Sequence, residues 1–340
     1  MSIPYRTQQN LKRLAIALLV LLVVGVFVWA MWILWLQRFV VYTREGAVLN
    51  FEASETLPVG EEAVPPSEGM QIEIYYNEGE DKVNISTELA QLKGYYVVGS
   101  AVSENPAGVW EQIQALPAST PVMLDMKSIY GNFYYTTSTG RPLSDSADIA
   151  GVDELVANLR ASGYYTIARV PALRDKEYGR ENTRSGIYHS SGGYLWMDDD
   201  GCYWLNPAKE DTITYLISIA SELRDLGFNE VVFDDFCFPQ SKSISFKGDK
   251  AQTLADTAQA LVTNCATDYF AVSFVSDGSW TAPTGRSRVY RKDVNDPLQL
   301  AEATLNLTMP DPSIRLVFIT SNMDTRFESY GVMRPINLAH

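Results

Sequence analysis

From Leu92 onward, short apolar segments alternate with amphipathic segments. The apolar segments read LKGYYVVGSAV, PVMLDMK, YYTIARVPAL, EVVFDD and YFAVSFVS. Two of the intervening segments, VDELVANLRASG and DTITYLISIASELRDLG, have helical spacing and end at Gly163 and Gly227, as helices commonly do. Strands that are apolar on both faces and alternate with helices are typical of a parallel sheet built from βα units.

The fold class predicted from this pattern is α/β, as an eight-stranded (β/α)8 TIM barrel. About 250 residues follow Leu92, which is the usual size of such a barrel. An open doubly wound sheet is the alternative, but it normally has a glycine-rich phosphate loop after its first strand, and GSAVSENPAG is not one. In the C-terminal third, SIRLVFITSN is a clear strand and GRSRVYRKDV a weak one. No eighth unit is evident, so an incomplete or distorted barrel is expected there.

The N-terminal region predicts a membrane anchor. Leu14 to Leu36 are 23 residues without a charge, enough to cross a bilayer as a helix, and tryptophans cluster near one end. A cleaved signal peptide would have a shorter apolar core ending in small residues. The predicted organisation is a cytoplasmic tail at 1–13, a transmembrane helix at 14–36, a stalk at 37–69, a short β extension at 70–91 and the barrel domain at 92–340.

The distribution of charged residues along the chain indicates on which side of the membrane the C-terminal domain lies. Residues 1–44 hold five of the 27 Lys and Arg residues and none of the 41 Asp and Glu residues, so residues 45–340 carry a formal charge of −19. Such an acidic domain is a poor candidate for binding nucleic acid. The basic residues flanking the span slightly favour a cytoplasmic N-terminus. We therefore expect a single-pass protein of the cell membrane whose C-terminal domain is extracytoplasmic.

Cysteine and histidine limit the chemistry. Cys202, Cys237 and Cys265 have no C-x-x-C spacing, which leaves buried thiols or one disulfide as the two interpretations. The only histidines are His189, in a Ser/Gly-rich loop, and the terminal His340. Histidine-based metal sites and Ser-His-Asp catalysis are therefore not expected, and no motif calls for a metal or a cofactor.

Charged and aromatic residues follow several predicted strands, at the edge where barrel enzymes place their active sites. They are Asp125, Lys127 and Tyr130 after the second strand, Arg169 on the third, Trp196, Asp199, Trp204 and Asn206 in the next loop, Asp234 and Asp235 after the fourth, and Asp277 and Trp280 after the fifth. Aromatic faces stack on sugar rings, and glycoside cleavage needs two carboxyl groups. The pattern favours a glycoside hydrolase.

Structural interpretations compete with this one. Asp198–Asp200 precede a glycine and also fit an acidic turn, as does Asp277 beside Gly278. Asp125 and Lys127 also fit a structural ion pair. Arg169, if buried, needs an anionic partner, for which Asp125 and Asp234 are the candidates.

Four segments resemble a bacterial family of glycoside hydrolases with an α-amylase-like TIM barrel. They are LDMKSIYG, YTIARVPALRD, LWMDDDGCYWLNP and ASELRDLGFNEVVFDDFCFP, and they cover about residues 122–239. The resemblance implies a domain acting on polysaccharide, with Asp234 as a catalytic carboxylate. It also implies that the cleft is lined by Asp125, Lys127, Arg169, Trp204 and Asn206. This chain departs from the family motif at Asp235, which replaces a tyrosine, and at Cys237, which replaces an arginine.

The combined hypothesis is a membrane-anchored glycoside hydrolase acting on an extracellular or cell-envelope polysaccharide or oligosaccharide. Asp234 is the expected nucleophile or base, and Asp277 or Asp199 the expected acid. Asp235 is expected only to bind substrate, because adjacent strand residues point to opposite faces. Tyr130, Trp196 and Trp280 are further candidates for substrate binding. Two other hypotheses are a glycan-binding or envelope-scaffolding module without turnover, and a structural partner of other membrane proteins.

Overall fold

The computed structural model describes residues 89–305 and 309–338, together with the strands Val40–Thr43 and Gly46–Leu49. The chain divides into two compact units, Met1–Gly79 and Glu80–His340. In the first unit, the two strands pair as an antiparallel hairpin within the range predicted as a stalk. The predicted membrane span at 14–36 and the β extension predicted from residue 70 up to residue 88 lie outside the described residues. Among the helices that are described, none is both long and apolar enough to cross a bilayer.

The second unit contains a closed barrel of eight parallel strands. Their order around the barrel is β6-β7-β8-β1-β2-β3-β4-β5, and every neighbouring pair is parallel. The strands are β1 (Lys93–Val97), β2 (Val122–Asp125), β3 (Thr166–Pro171), β4 (Glu230–Asp234), β5 (Ala271–Val275), β6 (Val289–Arg291), β7 (Leu316–Ile319) and β8 (Gly331–Pro335). The predicted (β/α)8 fold is therefore confirmed for this unit.

The expectation of an incomplete barrel was wrong, because β6, β7 and β8 close the sheet between β5 and β1. The last strand, GVMRP, contains an arginine and ends in a proline, so its sequence lacks the apolar run that marks the earlier strands. What is reduced in the C-terminal third is the helical layer. The helices there have six and four residues, against 13 to 17 for the three longest helices of the barrel domain.

The helices of the barrel domain are α1 (Gly99–Glu104), α2 (Pro106–Gln114), α3 (Ile149–Ala161), α4 (Lys176–Glu181), α5 (Glu210–Leu226), α6 (Lys250–Cys265), α7 (Leu300–Leu305) and α8 (Pro312–Arg315). In α5, Glu210 and Asp211 occupy the first turn, where the helix dipole favours negative charge. The helix ends at Gly227, whose φ of 98° is left-handed and suits glycine. The helix stops predicted at Gly163 and Gly227 are confirmed.

Three apolar clusters hold the barrel together. One cluster takes buried side chains from strands around the whole barrel, including Met123, Ile167 and Tyr290, and therefore fills its interior. A second, larger cluster, the main core cluster, takes the alternate residues of β1 to β5 and the inner faces of α1 to α6. A third cluster takes the alternate residues of β6 to β8 together with α7. The N-terminal mouth is closed by a buried carboxylate, Glu230, which pairs with Arg288. The C-terminal mouth carries charged side chains that contact one another and are partly open to solvent, among them Lys292.

The three cysteines are free thiols, of which Cys202 and Cys265 are buried and Cys237 is half-buried. Of the two interpretations of the cysteines, the structure therefore favours unpaired thiols over a disulfide.

Candidate active site

Five strands bring polar side chains together at the C-terminal mouth. Tyr96 on β1, Asp125 on β2, Arg169 on β3 and Asp234 on β4 lie at or near the ends of their strands, and Lys292 directly follows β6. Their contacts connect all five. The C-terminal ends of the strands are where barrel enzymes hold their catalytic groups.

Asp125 and Arg169 form the inner side of this site. Arg169 donates to Asp125 through Nε at 2.6 Å and through Nη2 at 3.0 Å, which fixes the guanidinium plane. Asp125 also accepts from the backbone N–H of Gly99 at the start of α1, and the guanidinium lies 5.6 Å from the ring centroid of Tyr96. The ion pair proposed from sequence between Asp125 and Lys127 is not formed. Arg169 is instead the partner of Asp125.

Asp234 has one engaged and one open carboxylate oxygen. Its Oδ1 accepts from Lys292 Nζ at 2.6 Å and from the backbone N–H of Asp235 at 2.7 Å. Its Oδ2 lies 4.0 Å from Arg169 Nη1, which is an ion-pair distance but too long for a hydrogen bond. Two cations therefore stabilise the ionised carboxylate, while Oδ2 has no hydrogen-bond donor among the described residues.

Asp235 lies beside Asp234 and not on the opposite face, so the sequence-based expectation was wrong. Strand β4 ends at Asp234, and Asp235 has a φ of 49°, in the left-handed region that Asp and Asn tolerate best after glycine. Its Oδ1 lies 3.5 Å from Lys292 Nζ. Because one nitrogen contacts both carboxylates, at 2.6 and 3.5 Å, the two oxygens are no more than roughly 6 Å apart, a limit that includes the spacing of about 5–5.5 Å in retaining glycosidases.

The surroundings of Asp235 shift its pKa and that of Lys292. Burial, followed by the neighbouring Asp234 carboxylate, raises the pKa of Asp235, while Lys292 and Arg174 act in the opposite direction. Burial lowers the pKa of Lys292, but the two carboxylates outweigh it, and the pKa of Lys292 is raised. Lys292 therefore keeps its positive charge to higher pH than an ordinary lysine. Asp235 keeps its proton to higher pH than an ordinary aspartate.

Several residues predicted to line the cleft are buried elsewhere. Lys127 is fully buried, pairs with Asp175 Oδ2 at 2.8 Å and donates to the Pro171 carbonyl. Trp204 is 8% exposed and donates through Nε1 to Asp198. Trp280 is 5% exposed and packs on Phe236. These three side chains stabilise the loops around the cleft, and they present no open face to a sugar.

The remaining predicted residues are more peripheral. Asn206 accepts from the N–H of Ala208, as part of the turn before α5. Trp196 is half-buried and packs against the main core cluster. Tyr130 is 44% exposed, with Lys176 Nζ lying 5.6 Å from its ring centroid.

The two carboxylates predicted as the acid are both exposed. Asp277 accepts from the N–H of Ser279, as expected for a turn residue. Asp199 lies at the tip of an acidic turn. The turn is held by the neighbouring Asp198, whose carboxylate binds Arg174 at 2.6 Å and accepts from Trp204 at 2.9 Å. No described hydrogen bond or ion pair joins Asp277 or Asp199 to Asp234, whereas Asp235 shares a cation with it.

Lys292 is a site residue that the sequence analysis missed. It follows a strand of only three residues in a segment, GRSRVYRKDV, that has little apolar pattern. The available signal was its position immediately after a weak strand, the same position that Asp235 occupies after β4. Within the described parts of the chain, no group of three or more His, Cys, Asp or Glu side chains has the arrangement of a metal site.

Residues 96–273, more than half of the chain, match a family described as "Putative glycosyl hydrolase domain". The chain belongs to this family. The match includes the end of β1, all of β2 to β4 and most of β5, and with them Asp125, Arg169, Asp234 and Asp235, while Lys292 lies beyond it. The comparison with curated proteins gave no match.

Solved structures that match this chain include a hypothetical protein and two glycosidases. A hypothetical protein from Ruminiclostridium thermocellum is 21% identical, with a TM-score of 0.46, covering 53% of this chain and 96% of its own. An α-galactosidase from Geobacillus stearothermophilus in complex with raffinose is 11% identical, with a TM-score of 0.49, and the match covers 72% of this chain and 39% of the α-galactosidase. An exo-β-N-acetylglucosaminidase from Vibrio harveyi is 8% identical, with a TM-score of 0.45, covering 68% and 41%. This chain thus spans about two fifths of the length of these two glycosidases.

Proposed function

We propose that the barrel domain hydrolyses glycosidic bonds in a polysaccharide or oligosaccharide, with Asp234 as nucleophile and Asp235 as general acid and base. The observation that carries this proposal is the single ammonium of Lys292 in contact with both carboxylates. This contact keeps the two carboxyl oxygens within roughly 6 Å of each other, a limit that includes the spacing of about 5–5.5 Å used in a double displacement with retention. Membership of the glycosyl hydrolase family supports the same reaction class.

In the first step, Asp234 Oδ2 forms a bond to the anomeric carbon while the bond to the leaving oxygen breaks. Asp235 gives its proton to that oxygen, so the first product leaves as a neutral alcohol. In the second step, water attacks the anomeric carbon and Asp235 takes a proton from it. Asp234 leaves as a carboxylate again. Arg169 and Lys292 stabilise the negative charge on Asp234 at the beginning and end of the cycle.

The raised pKa of Asp235 suits the acid role, because a general acid must be protonated at the working pH. The two cations beside Asp234 suit a nucleophile, which must be ionised. Different environments thus assign different roles to two neighbouring residues of the same type.

Replacing Lys292 with methionine is expected to move the alkaline limb of the activity profile to higher pH. Lys292 lowers the pKa of Asp235, so its removal raises that pKa further, and the acid keeps its proton to higher pH. The measurement is the pH dependence of kcat/KM for the parent and the variant. Lys176→Met, which removes an ammonium near Tyr130, should leave the limb in place. A shift to lower pH in Lys292→Met would assign the acid role to another group.

The cell-envelope location is also proposed. The uncharged run at residues 14–36 and the charge of −19 on residues 45–340 support a single-pass anchor with the barrel domain outside the cytoplasm. When the full chain is made in a bacterial host, protease added to spheroplasts should digest the barrel domain. A domain digested only after the membrane is broken would place it in the cytoplasm. A cytoplasmic marker protein that survives the first treatment is the control.

The test of the activity is release of reducing ends by the purified full-length chain from a panel of bacterial and plant polysaccharides. Release that depends on Asp234 supports the hydrolase. Retention of glycan without release would instead support the binding module considered in the sequence analysis.

A further inference from the structure

A hairpin on the loop between β3 and α5 carries an exposed tyrosine in a fixed orientation. We call residues 187–197 the aromatic hairpin. Its two sides are joined by the hydrogen bonds His189 N–H to Tyr194 O at 3.0 Å and Trp196 N–H to Ile187 O at 2.8 Å. Gly192 and Gly193 form the tip with φ values of 83° and 86°, which glycine adopts without strain.

The tyrosine at the tip is held by its neighbours although it is open to solvent. The Tyr194 ring is 56% exposed and stacks on the His189 ring, with 4.9 Å between centroids and 19° between planes. The Ser191 hydroxyl lies 2.8 Å from His189 Nδ1 and 3.3 Å from the Tyr194 hydroxyl. A large ring already fixed by such contacts loses little further conformational entropy when a ligand stacks on its free face.

The orientation of the hairpin directs this ring to the same side as the protein core. Paired residues of an antiparallel hairpin share a face, so Ile187, His189, Tyr194 and Trp196 lie on one side. Ile187 is 1% exposed and Trp196 packs against the main core cluster. Tyr194 therefore extends the buried face of the hairpin past the edge of the core. Tyr188 lies on the opposite face and is 37% exposed.

The aromatic hairpin is connected directly to the loop that holds the catalytic carboxylates. His189 pairs with Ile244 and Ser190 donates to the Ser243 carbonyl at 2.8 Å, and both partners belong to the segment that follows Asp235. A second connection runs through Arg174, which binds Asp198 at the base of the hairpin. The positive charge of Arg174 also lowers the pKa of Asp235. The hairpin that carries the tyrosine is therefore hydrogen-bonded to the segment that follows the carboxylates.

The chemistry of the tip suits a neutral sugar ring. The free face of Tyr194 is apolar and matches the C–H face of a pyranose, while the Ser191 hydroxyl and the His189 ring offer hydrogen bonds to ring hydroxyls. The tip residues 189–194, HSSGGY, contain no Lys, Arg, Asp or Glu, so the tip offers no ion pair to a strongly charged ligand.

We propose that the stacked Tyr194 and His189 rings are a saccharide-binding subsite, remote from the cleaved bond, that holds a further unit of a glycan chain. This inference rests on the proposed hydrolase function. It adds that the substrate is a polymer, since an isolated disaccharide does not need a second site on the neighbouring loop.

The test uses binding and turnover in parallel. In an Asp234→Asn background, affinity gels containing amylose, hydroxyethyl cellulose, laminarin, galactomannan or glycol chitin measure the retention of each full-length variant. For the polysaccharide that retains the parent, Tyr194→Ala should weaken binding about tenfold, because a buried aromatic contact with the ligand is lost. Tyr194→Phe should stay within about twofold, since the stacking face remains. Tyr188→Ala, on the other face of the hairpin, should also stay within about twofold.

With Asp234 intact, Tyr194→Ala should raise KM for the polymer and leave kcat unchanged, and a short aryl glycoside should be hydrolysed as by the parent. Equal binding by Tyr194→Ala and the parent would overturn the subsite, even if hydrolysis is confirmed. Loss of binding by Tyr194→Ala in a chain that hydrolyses nothing would support the subsite and contradict the hydrolase. The absence of retention by every polysaccharide in the parent would overturn the subsite.

Discussion

Replacing Asp234 with asparagine is expected to lower the hydrolysis rate on the order of 10³-fold or more, because the variant has no carboxylate to attack the anomeric carbon. Asparagine keeps the size of the side chain and an oxygen that can accept from Lys292 and from the N–H of Asp235. It loses the open Oδ2, which becomes an amide nitrogen facing Arg169. The measurement is the initial rate of reducing-end release at saturating polysaccharide, together with a thermal melt to verify folding.

Asp277→Asn is the matched control for Asp234→Asn. Both residues are aspartates at the C-terminal end of a strand, but Asp277 is exposed and accepts only from the N–H of Ser279 among its described hydrogen bonds. The hydrolysis rate of Asp277→Asn should remain within about threefold of the parent rate, as for a surface substitution away from the reacting atoms. An equal loss in both variants would restore Asp277 as the acid predicted from the sequence. A rate above a tenth of the parent in Asp234→Asn would exclude Asp234 as the nucleophile.

The repeated pattern of apolar strands and amphipathic helices was sufficient to predict the barrel and the position of Asp234. That inference needs only the period of the pattern and the rule that parallel strands end on one face. The same inference did not predict β8. The sequence GVMRP has a weak local pattern, but closure of the sheet places it between β7 and β1. The requirement to close the barrel is a property of the whole sheet, and no local segment carries it.

The site was less predictable because its key contacts depend on geometry that composition does not specify. A single left-handed φ at Asp235 brings its carboxylate to Lys292 and reverses the assumption that neighbours on a strand point apart. Whether each tryptophan is buried or exposed depends on how its loop packs. Trp204 and Trp280 are buried by their own loops, whereas Tyr194, which sequence reasoning passed over, remains open to solvent.

The N-terminal mouth of the barrel shows how a charged group is kept inside an apolar fold. Glu230 is fully buried and accepts from Ser273 at 2.5 Å, Tyr290 at 2.9 Å and Tyr165 at 3.0 Å, and it pairs with Arg288. Arg288 in turn donates to the Ala90 carbonyl at 3.0 Å. This network connects residues at or before the starts of β1, β3 and β4 with residues of β5 and β6, and so ties the two halves of the barrel together.

Replacing Arg288 with methionine is therefore expected to destabilise the folded state by about 3–5 kcal/mol, because it leaves the Glu230 carboxylate buried without a countercharge. Urea denaturation of the full chain, followed by tryptophan fluorescence, measures the change. Arg326→Met is the matched control. It breaks an arginine–carboxylate pair with Asp324, which has two hydrogen bonds, but the Arg326 side chain is 54% exposed, so the expected cost is below about 1 kcal/mol.

Adding Glu230→Gln to Arg288→Met should recover part of the lost stability. The amide oxygen of glutamine still accepts from the hydroxyls of Tyr165, Tyr290 or Ser273, while the unpaired charge disappears. If the double variant is no more stable than Arg288→Met, the loss comes from packing of the arginine side chain and not from the buried charge. The difference in stability between the double variant and Arg288→Met therefore decides which contribution of Arg288 stabilises the barrel, its charge or its volume.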